Sequence, residues 1–304
     1  MKIIPLVPRG YCKGVLQAIK IAKQTAIDYP NTPITVLGPI VHNHYVSDAL
    51  NELGIRTLND HGKSRYDLLD EIESGVVIFS AHGISEYVYT KAKQKGLTIV
   101  DASCSDVIAI KDKVMHYLNQ GYQILYIGKK NHPESEGICY NHPEILCIET
   151  LEDIPNELDN DLVYVTTQTT MSTYQIEPLL ECIQKRFKQC IIEPQICFAT
   201  TSRQNALINM DDNIDGVIIV GDKSSNNTTK LEKLALSKPN VKVVSKINDL
   251  MELNESLFKD CQNVAITSGA STPNAITNAV IDYMTRYAKN ETPIKQAIEI
   301  SQIL

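Results

Sequence analysis

Cys12, Cys104 and Cys197 stand 92 and 93 residues apart in a chain of 304. Each closes an apolar, strand-like run and opens a helix-like one. The runs are Ile3-Ile4-Pro5-Leu6-Val7, Leu97-Thr98-Ile99-Val100 and Ile191-Ile192. Three thiols at matching points of three similar stretches fit one shared object at a pseudo-threefold centre, and a cubane iron–sulfur cluster with three protein ligands has that geometry. Cubanes normally take four thiolates. A three-cysteine set leaves one iron open to a substrate oxygen, which turns an electron carrier into a Lewis acid. Taken singly, each cysteine reads equally well as a buried thiol, because cysteine is among the most buried residue types; the regular spacing favours ligation. Cys147, Cys182 and Cys261 lack the pattern and are expected in core or partly buried positions.

A second set of chemically capable residues keeps the same rhythm. His42, His132 and Ser225 follow their cysteines by 30, 28 and 28 residues, and His82, Thr169 and Ser271 follow them by 70, 65 and 74. Histidines beside an anion supply donors and positive charge. In His132-Pro133-Glu134 an imidazole and a carboxyl are two residues apart, on one side if the segment is extended, which makes Glu134 a candidate proton donor. Glu136 and Glu144 are expected at the surface. Ser225, Asn226 and Asn227 at a strand-to-helix junction, with Ser271 after Gly269, offer hydroxyls, amides and backbone N–H groups for an anion; Ser and Asn there also serve as helix N-caps.

The elements that must position these residues alternate strand and helix, which implies parallel sheets covered by helices on both faces, an α/β class. Apolar runs such as Val76-Val77-Ile78-Phe79 and Val217-Ile218-Ile219-Val220 read as buried strands. Residues 55–75 read as polar connection with no strand. Every polar cluster above sits at a strand's carboxyl end, where ligands bind in such folds. The repeat predicts a trefoil of three α/β units: 13–100, 101–192, and 1–12 with 193–287, followed by a tail over 288–304. A net charge of −7 and a pI near 5.5 argue against a nucleic-acid binder. No apolar run is long enough to span a membrane, nor does the N-terminus read as a signal peptide, so a cytoplasmic protein is expected. Eight cysteines without a C-x-x-C give no support to a zinc ribbon or thioredoxin motif.

Pro8-Arg9-Gly10-Tyr11-Cys12, Val41-His42-Asn43, Ser80-Ala81-His82-Gly83, His132-Pro133-Glu134, Thr167-Gln168-Thr169-Thr170, Cys197-Phe198-Ala199-Thr200-Thr201, Arg203-Gln204 and Ser268-Gly269-Ala270-Ser271 together resemble the 4-hydroxy-3-methylbut-2-enyl diphosphate reductases of the methylerythritol phosphate route to isoprenoids. The resemblance runs from about residue 5 to 285. It implies one [4Fe–4S] cluster on Cys12, Cys104 and Cys197. It also implies a substrate hydroxyl at the open iron, a one-electron donor such as a ferredoxin or flavodoxin system, and isopentenyl and dimethylallyl diphosphates as products. By the same resemblance His42, His82, Ser225, Asn227 and Ser271 hold the diphosphate with His132 beside them, and Asn226 is expected to donate to it from its place between Ser225 and Asn227. Glu134 delivers protons, and Thr169 orients the substrate hydroxyl. Three places depart from the family pattern: Ser103-Cys104-Ser105 lacks the usual Thr and Pro, Asn226 replaces a Ser, and Phe198 stands where Tyr is common. Two other functions fit the residues alone: a cluster-dependent hydro-lyase on another phosphorylated metabolite, and a non-catalytic diphosphate-binding protein with buried cysteines.

Overall fold

A computed structural model describes residues 1–60 and 62–304. In chain order the strands are β1 (Lys2–Pro5), β2 (Ile34–Leu37), β3 (Ile55–Leu58), β4 (Val76–Phe79), β5 (Thr98–Asp101), β6 (Gln123–Ile127), β7 (Ile145–Ile148), β8 (Val163–Thr167), β9 (Ile191–Ile192), β10 (Gly216–Val220), β11 (Val243–Ile247) and β12 (Asn263–Ser268). They form three parallel four-stranded sheets, ordered β3-β2-β4-β5, β7-β6-β8-β9 and β1-β12-β10-β11. Each sheet repeats one plan. A central pair (β2 and β4, β6 and β8, β10 and β12) is flanked on one side by the strand that lies between them in the chain. On the other side runs a strand shortly before a cysteine: β5 before Cys104, β9 before Cys197, β1 before Cys12.

The central strands form because they are continuous runs of β-branched and large apolar residues, buried on both faces. Val76 to Phe79 and Val217 to Val220 have no exposed surface. At roughly 1.5–3 kcal/mol per fully buried large side chain, these strands outweigh the edge strands in holding each sheet together. Parallel pairing requires long crossovers, and helices supply them. Those used below are α1 (Lys13–Asp28), α2 (His44–Glu52), α3 (Arg65–Leu68), α4 (Glu86–Gln94), α5 (Ser105–Asn119), α6 (Pro133–Cys139), α7 (Thr173–Arg186), α8 (Phe198–Ile208), α9 (Asn226–Leu236) and α10 (Asn274–Ala288). Along α1, Ala18, Ile19, Ala22 and Thr25 recur at helical spacing and are buried.

The chain divides into two compact units. One comprises Met1–Leu16, Val41–Ala49 and Phe198–Leu304, and contains the β1-β12-β10-β11 sheet; the other comprises Gln17–Ile40 and Leu50–Cys197, and contains the remaining two sheets. The first unit's core joins Leu207, Met210, Val217, Ile219 and Leu231. In the second, one core gathers Leu37, Leu68, Val77 and Phe79, and another Leu125, Ile127, Val165 and Ile176. The expectation of no strand in 55–75 is corrected: Ile-Arg-Thr-Leu is an edge strand whose two ends are buried, with Arg56 exposed and Thr57 half-buried between them. No described helix is long and apolar enough to cross a membrane.

Candidate active site

The three cysteines occupy the same backbone position in each sheet. The Cys104 N–H donates to the Ala81 carbonyl at 3.0 Å, the Cys197 N–H to Thr169 at 3.0 Å, and the Cys12 N–H to Ala270 at 2.9 Å. Each acceptor lies two residues beyond the end of a central strand: β4, β8 and β12. Each cysteine also stands immediately before a helix, α1, α5 or α8, where orphan N–H groups and the helix dipole favour negative charge. The Cys12 sulfur accepts from the Val15 N–H at 3.5 Å. All three thiols are partly exposed rather than sealed in a core.

In the second unit, His82, His132, Glu134 and Thr169 are brought together with two of these cysteines. Glu134 is 2% exposed. Its carboxylate accepts from the Thr169 N–H and the Thr169 hydroxyl, both at 2.7 Å, and from the Tyr126 hydroxyl at 3.5 Å. Burial pushes the carboxyl up to about 7, against the bonds from Thr169 and Tyr126 that favour its ionised form. Thr169 is thus a bridge: its N–H and hydroxyl hold Glu134 while its carbonyl holds the Cys197 backbone. The His82 and His132 rings meet edge to face at 5.8 Å, and Ser80 Oγ lies 3.3 Å from His82 Nδ1. The His132-Pro133-Glu134 segment is not an extended run. His132 caps α6, Pro133 takes the first helical position, and the imidazole Nδ1 accepts from the Glu134 N–H at 3.1 Å.

In the first unit, His42, Ser225, Asn226, Asn227 and Ser271 gather at strand ends. Ser271 Oγ donates to the His42 carbonyl at 2.9 Å. Ser225 caps α9, its hydroxyl accepting from the Thr228 N–H at 3.3 Å. Asn227 is buried, and neither its Nδ2 nor its Oδ1 has a hydrogen-bond partner; Oγ1 of the neighbouring Thr228 is also unmatched. A buried amide left so costs about 1–3 kcal/mol. Two glycine backbones press on this turn: a Cβ on Gly269 would lie 2.2 Å from Thr228 Oγ1, and one on Gly221 2.6 Å from it. Beside it, Asp222 is lowered to about 2; burial opposes the ionised form, and bonds from Ser224 and His44 outweigh it.

Residues 3–285 match the LytB protein family. The chain belongs to the LytB family. Among its relatives, the 4-hydroxy-3-methylbut-2-enyl diphosphate reductases of Bacillus cereus (strain AH820) and Bacillus anthracis (strain CDC 684 / NRRL 3495) are each 44% identical over 290 residues, 94% of this chain and 91% of theirs. The solved E-1-hydroxy-2-methyl-but-2-enyl-4-diphosphate reductase from Plasmodium falciparum superposes with a TM-score of 0.85 at 30% identity, over 93% of this chain and 88% of that one. Another, described as the (E)-4-hydroxy-3-methyl-but-2-enyl diphosphate reductase that ends the non-mevalonate pathway, gives 0.66 at 29% identity over 95% and 100%. This LytB chain is therefore an oxidoreductase with the α/β fold of those reductases.

Two features of the LytB chain escaped the sequence reading. Arg65 is buried, and its Nη1 donates to the Gly83 carbonyl at 2.7 Å while its Nη2 reaches the Pro133 carbonyl. It ties the loop of His82 to the start of α6. Its partner is Glu136, which takes the Arg65 N–H at 2.7 Å and Nε–H at 3.1 Å, so the surface position expected of Glu136 is corrected. Nothing in the local sequence signals this pairing, because the partners are 71 residues apart. The second is Tyr126, fully buried and aimed at Glu134; its strand position marks it only as core.

Proposed function

We propose that this LytB chain removes the hydroxyl of 4-hydroxy-3-methylbut-2-enyl diphosphate as water, giving isopentenyl and dimethylallyl diphosphates. A ferredoxin or flavodoxin system in the cytoplasm delivers the two electrons one at a time, and two protons are taken up, one leaving in the water and one added to the allyl carbon. The observation that carries the reading is the Glu134–Thr169–Cys197 connection: a carboxyl held near pH 7 is hydrogen-bonded to the residue whose carbonyl fixes a cysteine.

The residues fit a three-cysteine [4Fe–4S] cluster. Cys12, Cys104 and Cys197 share one backbone setting and one position before a helix. Among the described residues no three His, Cys, Asp or Glu side chains group as around a single metal ion. The three cysteine thiolates would hold the cluster. When bound, the cluster supplies electrons and an iron with an open coordination position. The protein's own residues do the rest. Asn227, Asn226, Ser225, Ser271, His42 and His82 bind the diphosphate, and the unmatched Nδ2 of Asn227 gains an acceptor there. Thr169 orients the substrate hydroxyl. Glu134, whose carboxyl burial raises to about 7, donates the proton that lets the hydroxyl leave as water, and His132 fixes the helix start that carries it. Anaerobic incubation with the substrate and a reduced one-electron donor tests this. The two isoprenyl diphosphates are expected, and a product that has lost water without gaining electrons would show a hydro-lyase instead.

A further inference from the structure

Two cysteines have no part in that chemistry, yet they share one cavity. Cys139 is the last residue of α6 and Cys147 the third of β7. Both are partly exposed and both line a cavity of about 770 Å³ within the second unit, whose wall includes Lys63, Lys130, Glu136 and Asp153. α6 packs against β7, which brings the two cysteines together on that wall. The Cys147 thiol also points at the Gly128 carbonyl, 3.7 Å away. Both side chains rest against the buried cluster of Ile138, Ile145 and Tyr126, so neither is free to drift from the other. A disulfide needs about 2.05 Å between sulfurs and a Cβ–Cβ separation near 3.8 Å, and the packing of α6 against β7 sets the two cysteines on one cavity wall for it.

The two sulfurs are not equivalent. The Cys139 S–H and then the Lys130 ammonium hold the Cys147 thiol low, while burial and the Glu149 and Asp153 carboxylates work against them. Cys139, donating to its neighbour and buried beside it, is held high. Lys130, on the cavity wall and acting on Cys147, favours the Cys147 thiolate as the attacking sulfur and leaves Cys139 to resolve.

We propose that Cys139 and Cys147 are a reversible thiol-modification site, a dithiol–disulfide pair that low-molecular-weight disulfides reach through this cavity. The Cys147 thiolate attacks one sulfur of the incoming disulfide. A bond forms between Cys147 and that sulfur, the original S–S bond breaks, and the departing thiolate takes a proton from water. Cys139 then gives up its proton and attacks the Cys147 sulfur, and the second small thiolate leaves and is protonated. The protein pair is oxidised by two electrons and the small disulfide is reduced to two thiols. The new bond ties the last residue of α6, the helix whose first turn carries Glu134, to β7.

The test is anaerobic incubation of the iron-loaded protein with oxidised glutathione, alkylation of the remaining thiols, digestion and mass spectrometry. Circular dichroism and iron content are followed in parallel. The expected product is a peptide pair linked through Cys139 and Cys147, lighter by the hydrogens lost and restored by dithiothreitol, formed while fold and iron are retained. Cys139→Ser is expected to stop at a glutathione adduct on Cys147, and Cys147→Ser to abolish both the adduct and the link. Alkylation of both cysteines in the wild-type protein would overturn the proposal. So would a stable unresolved adduct on wild-type Cys147, or a link confined to protein that has lost its fold.

Discussion

Replacing Glu134 by Gln separates the two consequences of burying that carboxyl. Gln is nearly isosteric, keeps an acceptor for the Thr169 N–H, and carries no charge at any pH. In the unfolded chain the carboxyl ionises near 4.5, and in the folded protein near 7. A folded-state value above the unfolded one means that folding favours the protonated form. The associated stability is full below the lower value and is lost as pH rises through the upper one. The interval between 4.5 and 7 corresponds to about 3 kcal/mol, the cost of holding an ionised Glu134 above neutrality. The Gln protein escapes it. Urea midpoints of wild type and Glu134→Gln are therefore expected to agree at pH 4.5 and to diverge up to pH 8, with the variant the more stable by about 1–3 kcal/mol. The same substitution should lower kcat by about 10²–10⁴-fold, the range for losing a general acid, with iron content and KM close to wild type. In the wild type, kcat/KM should fall on the alkaline side with a midpoint near 7, and that limb should be missing from the variant's residual rate. A stability difference that does not change with pH would refute the buried, titrating carboxyl. Retention of kcat would refute its role as proton donor.

Thr169→Val removes the hydroxyl that favours ionised Glu134, so the alkaline limb of kcat/KM should move to higher pH while the rate falls; a pH–rate profile checks both. Asn227→Ala removes donors expected to meet the diphosphate, and should raise KM about 10- to 100-fold, equivalent to about 1–3 kcal/mol. The same variant sheds an unmatched buried amide, so ligand-free thermal unfolding should show no loss of stability. Gly269→Ala would put a Cβ 2.2 Å from Thr228 Oγ1; a loss of about 1–3 kcal/mol is expected from the forced shift of α9, readable as a lowered melting temperature.

The positions of the cysteines and of most polar clusters were legible in the sequence for a topological reason. Each cysteine follows the flanking strand of its sheet and each cluster ends a central strand, so one plan used three times leaves nearly equal intervals. The central strands were legible because double-sided burial demands unbroken apolar runs. β3 was not, since an edge strand with an exposed Arg56 and a half-buried Thr57 in its middle carries only two buried side chains. Glu136 looked like a surface residue because the Arg65 that claims it lies in a distant polar stretch. The raised Glu134 carboxyl was equally hidden. A Glu between a proline and a serine reads as polar, and its burial comes from Tyr126 and Thr169, which β6 and β8 bring to it. The meeting of Cys139 and Cys147 on one cavity wall depends on where α6 ends against β7, which no spacing rule gives.

The most direct test of the account is the amount of iron and acid-labile sulfide bound per chain in an anaerobic preparation, for the wild type and for Cys12→Ser, Cys104→Ser and Cys197→Ser. A cubane held by three thiolates predicts about four iron and four sulfide per wild-type chain, with a large loss of both in each of the three variants. Iron without labile sulfide, or full loading in any one variant, would contradict it.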